Sequence, residues 1–101
     1  MLLAGDVGAT KTILGIYAPE KGPHEPLAEA TFPSGEYADL VELVGAFLAQ
    51  ANLNVEHAVF GVAGLVIGGQ ATVTNVPWVI DEAELKEKLR LKSVVLLNDL
   101  E

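Results

Sequence analysis

Gly5-Asp6-Val7-Gly8-Ala9-Thr10-Lys11-Thr12 separates two short apolar runs, residues 1–4 and 13–18. Runs of that length suit strands. With glycine on either side of the acid, the octapeptide reads as the turn of a β-hairpin carrying Asp6, Gly8 and Thr10. Glycine in a turn lets backbone N–H groups converge on one spot without a Cβ in the way, and oxyanions bind in such nests. A carboxylate beside a phosphate nest suggests a metal–nucleotide site. Two commoner phosphate motifs are excluded: no register gives Gly, four residues, Gly-Lys-Ser/Thr, and Gly-x-Gly-x-x-Gly is absent. On these eight residues alone, an ordinary hairpin with a solvated aspartate is the commoner outcome.

Outward from the turn, residues 2–7 and 12–18 read as paired strands. Residues 19–26, with three prolines, read as a surface loop, and residues 27–32 as a third strand completing an antiparallel meander. Ser34 opens a helix whose apolar positions 37, 40, 41, 44, 47, 48 and 51 form one buried face, giving a helix over 36–52. Residues 58–63, Ala-Val-Phe-Gly-Val-Ala, are nearly all apolar, as in a parallel strand buried on both faces. Gly68-Gly69 suits a tight hairpin turn. Asn75-Val76-Pro77-Trp78 is a loop in which Asn and Trp either touch a polar ligand or serve as an Asx-turn and a core residue. Asp81 caps a second helix over 81–90, with Glu84 at capping-box spacing, Ile80 and Leu85 as a staple, and Glu82/Lys86 and Glu84/Lys88 as surface pairs. Residues 93–97 form a last strand ending in Asn98-Asp99. In open α/β sheets ligands bind beyond the carboxyl ends of strands, so this pair is a site candidate. His24 and His57 receive no chemical role.

The chain has 101 residues, half of them apolar, which allows one domain with a core. Fourteen acidic against six basic residues give a net charge of −8. That argues against nucleic acid and anionic membrane as partners, since both call for clustered Lys and Arg. There is no cysteine, so disulfides and thiolate chemistry are excluded, in keeping with a cytoplasmic setting. No basic region precedes an apolar stretch at the N-terminus, and no run reaches transmembrane length. A domain seldom ends just after a central strand, so further chain is expected after Glu101 to complete the site.

Four stretches in order, Gly5-Asp6-Val7-Gly8-Ala9-Thr10, Gly61-Val62-Ala63-Gly64, Thr74-Asn75-Val76-Pro77-Trp78 and Leu97-Asn98-Asp99-Leu100-Glu101, resemble the N-terminal part of bacterial glucokinases. These belong to the superfamily that joins sugar kinases to actin. The resemblance covers nearly the whole chain. It implies an α/β, ribonuclease H-like lobe: a mixed sheet with antiparallel first strands and flanking helices. It also implies MgATP-dependent phosphorylation of glucose at its 6-hydroxyl. By that resemblance Gly5, Asp6, Val7, Gly8, Ala9 and Thr10 hold the phosphates of ATP, with Asp6 near hydrated Mg²⁺. Asp99 is then the catalytic base, and Asn98, Asp99 and Asn75 meet the sugar. Three positions depart from the family pattern. Ala9 replaces a second glycine, so its methyl is expected to crowd the phosphate or impose a different φ. Lys11 replaces a frequent asparagine, and Leu65 a frequent proline. Lys11-Thr12 also resembles the broader ROK class of sugar kinases and regulators, which is the first alternative. A nucleotide- or sugar-binding module without turnover is the second. Sheet and helix faces left bare by missing chain leave self-association, a homodimer at its simplest, open.

Overall fold

The β1–β2 pairing sets the frame. In a computed structural model that describes residues 1–18, 20, 25–73 and 78–98, β1 (Leu2–Val7) runs antiparallel to β2 (Lys11–Tyr17), with Val7 opposite Thr12 and Leu2 opposite Tyr17. β3 (Ala28–Pro33) continues the meander on the far edge of β2. On its other edge β1 pairs in parallel with β4 (His57–Val62), and β4 pairs in parallel with β8 (Ser93–Asn98). The result is a five-stranded mixed sheet of order β3-β2-β1-β4-β8. A smaller antiparallel sheet holds β5 (Gly64–Ile67), β6 (Gln70–Val73) and β7 (Val79–Asp81). Gly68 and Gly69 join β5 to β6 with φ of 58° and 78°, the left-handed pair a two-residue hairpin requires. The expected fold class, a mixed sheet with antiparallel first strands and flanking helices, is what the chain adopts.

Helix α1 (Leu40–Ala51) begins four residues later than the 36–52 expected. The reason is the cap. Asp39, with extended backbone, accepts from the Glu42 N–H at 2.8 Å. Ser34 cannot cap, because its hydroxyl is engaged elsewhere, and residues Ser34–Glu36 form a single 3-10 turn. Asn52 ends the helix in the left-handed region at φ 54°, its N–H on the Leu48 carbonyl. Helix α2 (Glu82–Lys88) is shorter than the 81–90 expected. Asp81 caps it, accepting from the N–H groups of Ala83 and Glu84. Glu84 pairs with Lys88 at 3.7 Å, whereas Glu82 reaches β8 and accepts from the Leu96 N–H at 3.0 Å.

Both helices contribute to one core on one face of the large sheet. Leu3, Val7, Leu14, Ile16, Ala58, Phe60, Val62 and Leu96 meet Leu40, Leu43, Val44 and Phe47 of α1 and Leu85 of α2. Phe32 packs edge-on against Phe47 and Tyr37, with ring centroids 5.9 Å apart in each pair. Among the described residues the other face is more open. Val95 and Leu97 are 42% and 52% exposed. The expectation that residues 58–63 are buried on both faces is therefore corrected: Ala58, Phe60 and Val62 are buried, and Val59 and Gly61 only partly. Trp78 is a core residue, its Nε1 donating to the Tyr37 carbonyl at 3.1 Å. His57 starts β4, its Nδ1 2.7 Å from Ser93 Oγ. No helix among the described residues is long and apolar enough to cross a membrane.

The Asp81 carboxylate holds α2 and β6 together. A bond from Gln70 Nε2, at 2.8 Å, and then the Glu84 and Ala83 N–H groups hold its carboxyl below the ordinary aspartate value of 3.8. A carboxyl whose pKa is lowered on folding stabilises the folded state above its unfolded pKa and loses that contribution as pH falls through the folded one. Asp81→Ala is expected to lower the melting temperature by several degrees at neutral pH. The gap from wild type should close as pH falls below 3.8, a trend that thermal melts across an acid series will check.

Candidate functional site

The hairpin turn after β1 forms a shallow pocket of about 270 Å³ lined by Asp6, Gly8, Ala9, Thr10, Lys11 and Ile13, at the small end of ligand pockets. Its shape comes from where the backbone polar groups point. The Gly8 N–H donates to the Lys11 carbonyl at 3.0 Å, so that amide is used in closing the turn. The carbonyls face inward. Val7 O accepts from the Ala63 N–H at 2.9 Å, Thr10 O from the Ser34 N–H at 3.0 Å, and Gly8 O from Ser34 Oγ at 2.7 Å. In a trans peptide the N–H lies opposite the carbonyl of the preceding residue, so with Gly8 O held inward the Ala9 N–H is turned outward and is the donor the turn offers. Asp6 and Lys11 are exposed at the pocket and place one charge of each sign there.

The remaining residues of the turn have other work. Gly5 and Val7 do not line the pocket. A Cβ on Gly5 would lie 2.6 Å from Phe60 Cδ1 and 2.9 Å from Leu14 Cδ2, so the missing side chain makes room for core packing. Val7 is fully buried. Ala9 has no positive φ, the only non-glycine residues so placed among those described being Asn52 and Arg90. The backbone conformation at this position is thus one that alanine adopts without strain.

The register fixes where Asn98 lies relative to this turn. Val7 is level with Val62 on β4, and Val62 with Asn98 on β8. The turn and Asn98 thus stand at the same, carboxyl end of the parallel strands, two strand spacings or roughly 10 Å apart. Asp6 is level with Gly61 and Leu97, so it projects from the opposite face of the sheet to Asn98. Asn98 Oδ1 accepts from the Val66 N–H at 3.0 Å, which ties β5 to the end of β8 and leaves its Nδ2 as the outward donor. Asp99 and Asn75 lie outside the described residues. Among the described residues no group of three or more His, Cys, Asp or Glu is placed to hold a metal ion. A cation here would be held by Asp6 together with ligand oxygens and water, the way Mg²⁺ is commonly bound.

Sequence reasoning missed Ser34, which it read as a helix opener. Thr12 is fully buried like Ser34, and their hydroxyl oxygens are 2.8 Å apart. No local pattern links two residues twenty-two positions apart; only the β2–β3 register brings them together. The Gly61-Val62-Ala63-Gly64 stretch, one of the four that carry the resemblance, contains a close approach that the resemblance did not specify. Ala63 holds the base of the turn, and a Cβ on Gly64 would fall 1.9 Å from the Thr72 carbonyl oxygen.

A family model described as glucokinase matches residues 3–101. Glucokinase of Trichormus variabilis is 37% identical over 98% of this chain, and that of Psychromonas ingrahamii 32% over 96%. The chain spans about 30% of the length of these relatives. Among solved structures, glucokinase from an Antarctic psychrotroph superposes with a TM-score of 0.86 at 25% identity, over 97% of this chain and 32% of its own. A proposed N-acetylmannosamine kinase from Listeria monocytogenes, at 21% identity and a TM-score of 0.67, shares the fold over 97% of this chain and 35% of its own.

Gly64→Ala tests the close approach. Backbone, unlike a side-chain end, cannot swing aside, so the substitution is expected to cost at least about 3 kcal/mol, the top of the usual overpacking range. Chemical denaturation of the two proteins will measure it, with Gly35→Ala, where a Cβ meets nothing within 4 Å, as the tolerated control.

Proposed function

The chain belongs to the glucokinase family, and on that footing we propose that the whole protein transfers the γ-phosphoryl group of ATP to the 6-hydroxyl of glucose in the cytoplasm, with this chain as its N-terminal lobe. The observation that carries the proposal is the common position of the 8–10 turn and Asn98 at the carboxyl end of the parallel strands. A donor site and an acceptor site for a phosphoryl group have to share one end of the sheet.

In this reading the Ala9 N–H takes a phosphate oxygen, and the Lys11 ammonium adds positive charge at the same mouth. What supports a phosphate tail here is that the carbonyls of Val7, Gly8 and Thr10 are bonded to groups outside the pocket lining, and that the Ala9 N–H lies opposite the Gly8 carbonyl in its peptide plane. Asp6 would help hold Mg²⁺ at this mouth. MgATP supplies the phosphoryl group and a metal charge that offsets what builds up on its oxygens. Asn98 Nδ2 donates to a sugar hydroxyl while Oδ1 stays on Val66. Asn75 adds a sugar contact. Asp99 follows Asn98 in sequence and accepts the 6-hydroxyl proton as the oxygen attacks. A carboxylate of ordinary basicity suffices, because a loose phosphoryl-transfer transition state asks little of the base.

In the full-length protein, Asp99→Asn keeps size and loses the proton acceptor. A fall in kcat of about 10²–10⁴ is expected, with glucose KM little changed, the pattern of an interaction made in the transition state. Glucose 6-phosphate formation is the assay. Wild-type turnover in the variant removes Asp99 as the base, and a wild type that binds MgATP and glucose without turnover establishes the binding-module alternative. Ala9→Gly should leave the KM for ATP within about twofold or lower it, since only a methyl is removed and no backbone strain is released.

A further inference from the structure

Ser34 is fully buried and makes three hydrogen bonds to the β1–β2 hairpin. Its N–H donates to Thr10 O at 3.0 Å, its Oγ donates to Gly8 O at 2.7 Å, and Thr12 Oγ1 lies 2.8 Å from the same Oγ. A serine hydroxyl has one hydrogen. With that hydrogen on Gly8 O, the Thr12 hydroxyl is the donor to Ser34, and a directed relay runs Thr12 to Ser34 to the Gly8 carbonyl. Ser34 therefore holds two carbonyls of the turn, one on each side of Ala9, from behind.

A peptide unit that turns its carbonyl outward presents a partial negative charge to the pocket and takes its N–H with it. Phosphate binding needs the reverse orientation, fixed before the anion arrives, because preorganised donors cost no reorientation on binding. We infer that Ser34 is a positioning residue for phosphate binding, acting through the Gly8 carbonyl to keep the Ala9 N–H of the same peptide unit aimed at the pocket, while its backbone bond to Thr10 O anchors the far side of the turn. The inference rests on the proposed ATP site, and it adds a residue that lies outside the pocket and touches no ligand. It also accounts for a buried hydroxyl pair where two small apolar residues would pack without the need for partners.

The test uses full-length protein with MgATP and glucose. Ser34→Ala keeps the backbone bond to Thr10 and removes the one to Gly8, so the KM for ATP is expected to rise about five- to tenfold, with kcat and the KM for glucose within twofold. Thr12→Val breaks the Thr12–Ser34 bond, leaves Ser34 on Gly8, and should move the KM for ATP less than twofold while lowering the melting temperature by a similar amount. That split separates positioning from stability. Should Ser34→Ala fail to fold, Ser34→Cys, with a weaker donor in the same place, takes its part, with an expected rise of about two- to fivefold. An ATP KM within twofold of wild type in Ser34→Ala, or within 1.5-fold in Ser34→Cys when that variant stands in, overturns the inference. So does an equal rise in the KM values for ATP and glucose. If the wild type itself neither binds nor uses ATP, the proposed function fails first and the positioning role with it.

Discussion

Strand β1 is paired on both edges, antiparallel to β2 and parallel to β4, and the rest of the chain is placed by that double pairing. Gly5, at the middle of the strand, lets the core close tightly over this pairing. The Phe60 ring and Leu14 occupy the space a side chain would need. With β1 fixed, β3 and β8 take the outer edges, α1 and α2 share one face, and the loop leaving β1 is delivered to the carboxyl end of the parallel strands. The site is thus a consequence of sheet register before it is a matter of its own residues.

What the turn can do follows from polarity more than from glycine content. Gly8 donates its amide to Lys11 and so does not serve as a nest donor. The amide that the bonding turns outward is that of Ala9, because the Gly8 carbonyl of the same peptide unit is satisfied from the core side. This distinguishes the turn from glycine-rich loops in which positive φ brings several amides together. Here ordinary backbone geometry gives the same outward polarity, because a buried serine and the Ala63 amide hold the carbonyls of Val7, Gly8 and Thr10 from within.

Much of this was legible in the sequence where physical causes are local. The hairpin around residues 8–10, the Gly68-Gly69 turn, the Asp81 cap and the apolar stripe of α1 each depend on residues a few positions apart. The start of α1 was misjudged because Ser34 and Asp39 are both good caps, and only tertiary contacts show that the serine hydroxyl is already taken. Burial of β4 on both faces was overestimated because an apolar run does not reveal how many faces are covered. Asp6, Gly8, Ala9 and Thr10, grouped in one turn by sequence, line one pocket, and Asn98 stands at the same end of the sheet, while Gly5 and Val7 pack against the core. The partnership of Ser34 with Gly8 and Thr12 was not legible, because it arises from strand register over more than twenty residues.

The bracing of the turn bears on the order in which the molecule assembles. The hairpin β1–β2, strand β3 and Ser34 all lie within the first 34 residues, and their contacts span short stretches of chain. Contacts of low sequence separation form quickly, whereas the parallel pairing of β1 with β4 closes a loop of about fifty residues, and loop closure of that length is slow. A chain emerging from the ribosome can therefore set most of the 8–10 turn, with its serine brace, before β4 has been made. The Ala63 bond to Val7 waits for later sequence. The braced turn is thus among the first parts of the molecule to be fixed, and edge strand β8, with Val95 and Leu97 exposed, among the last.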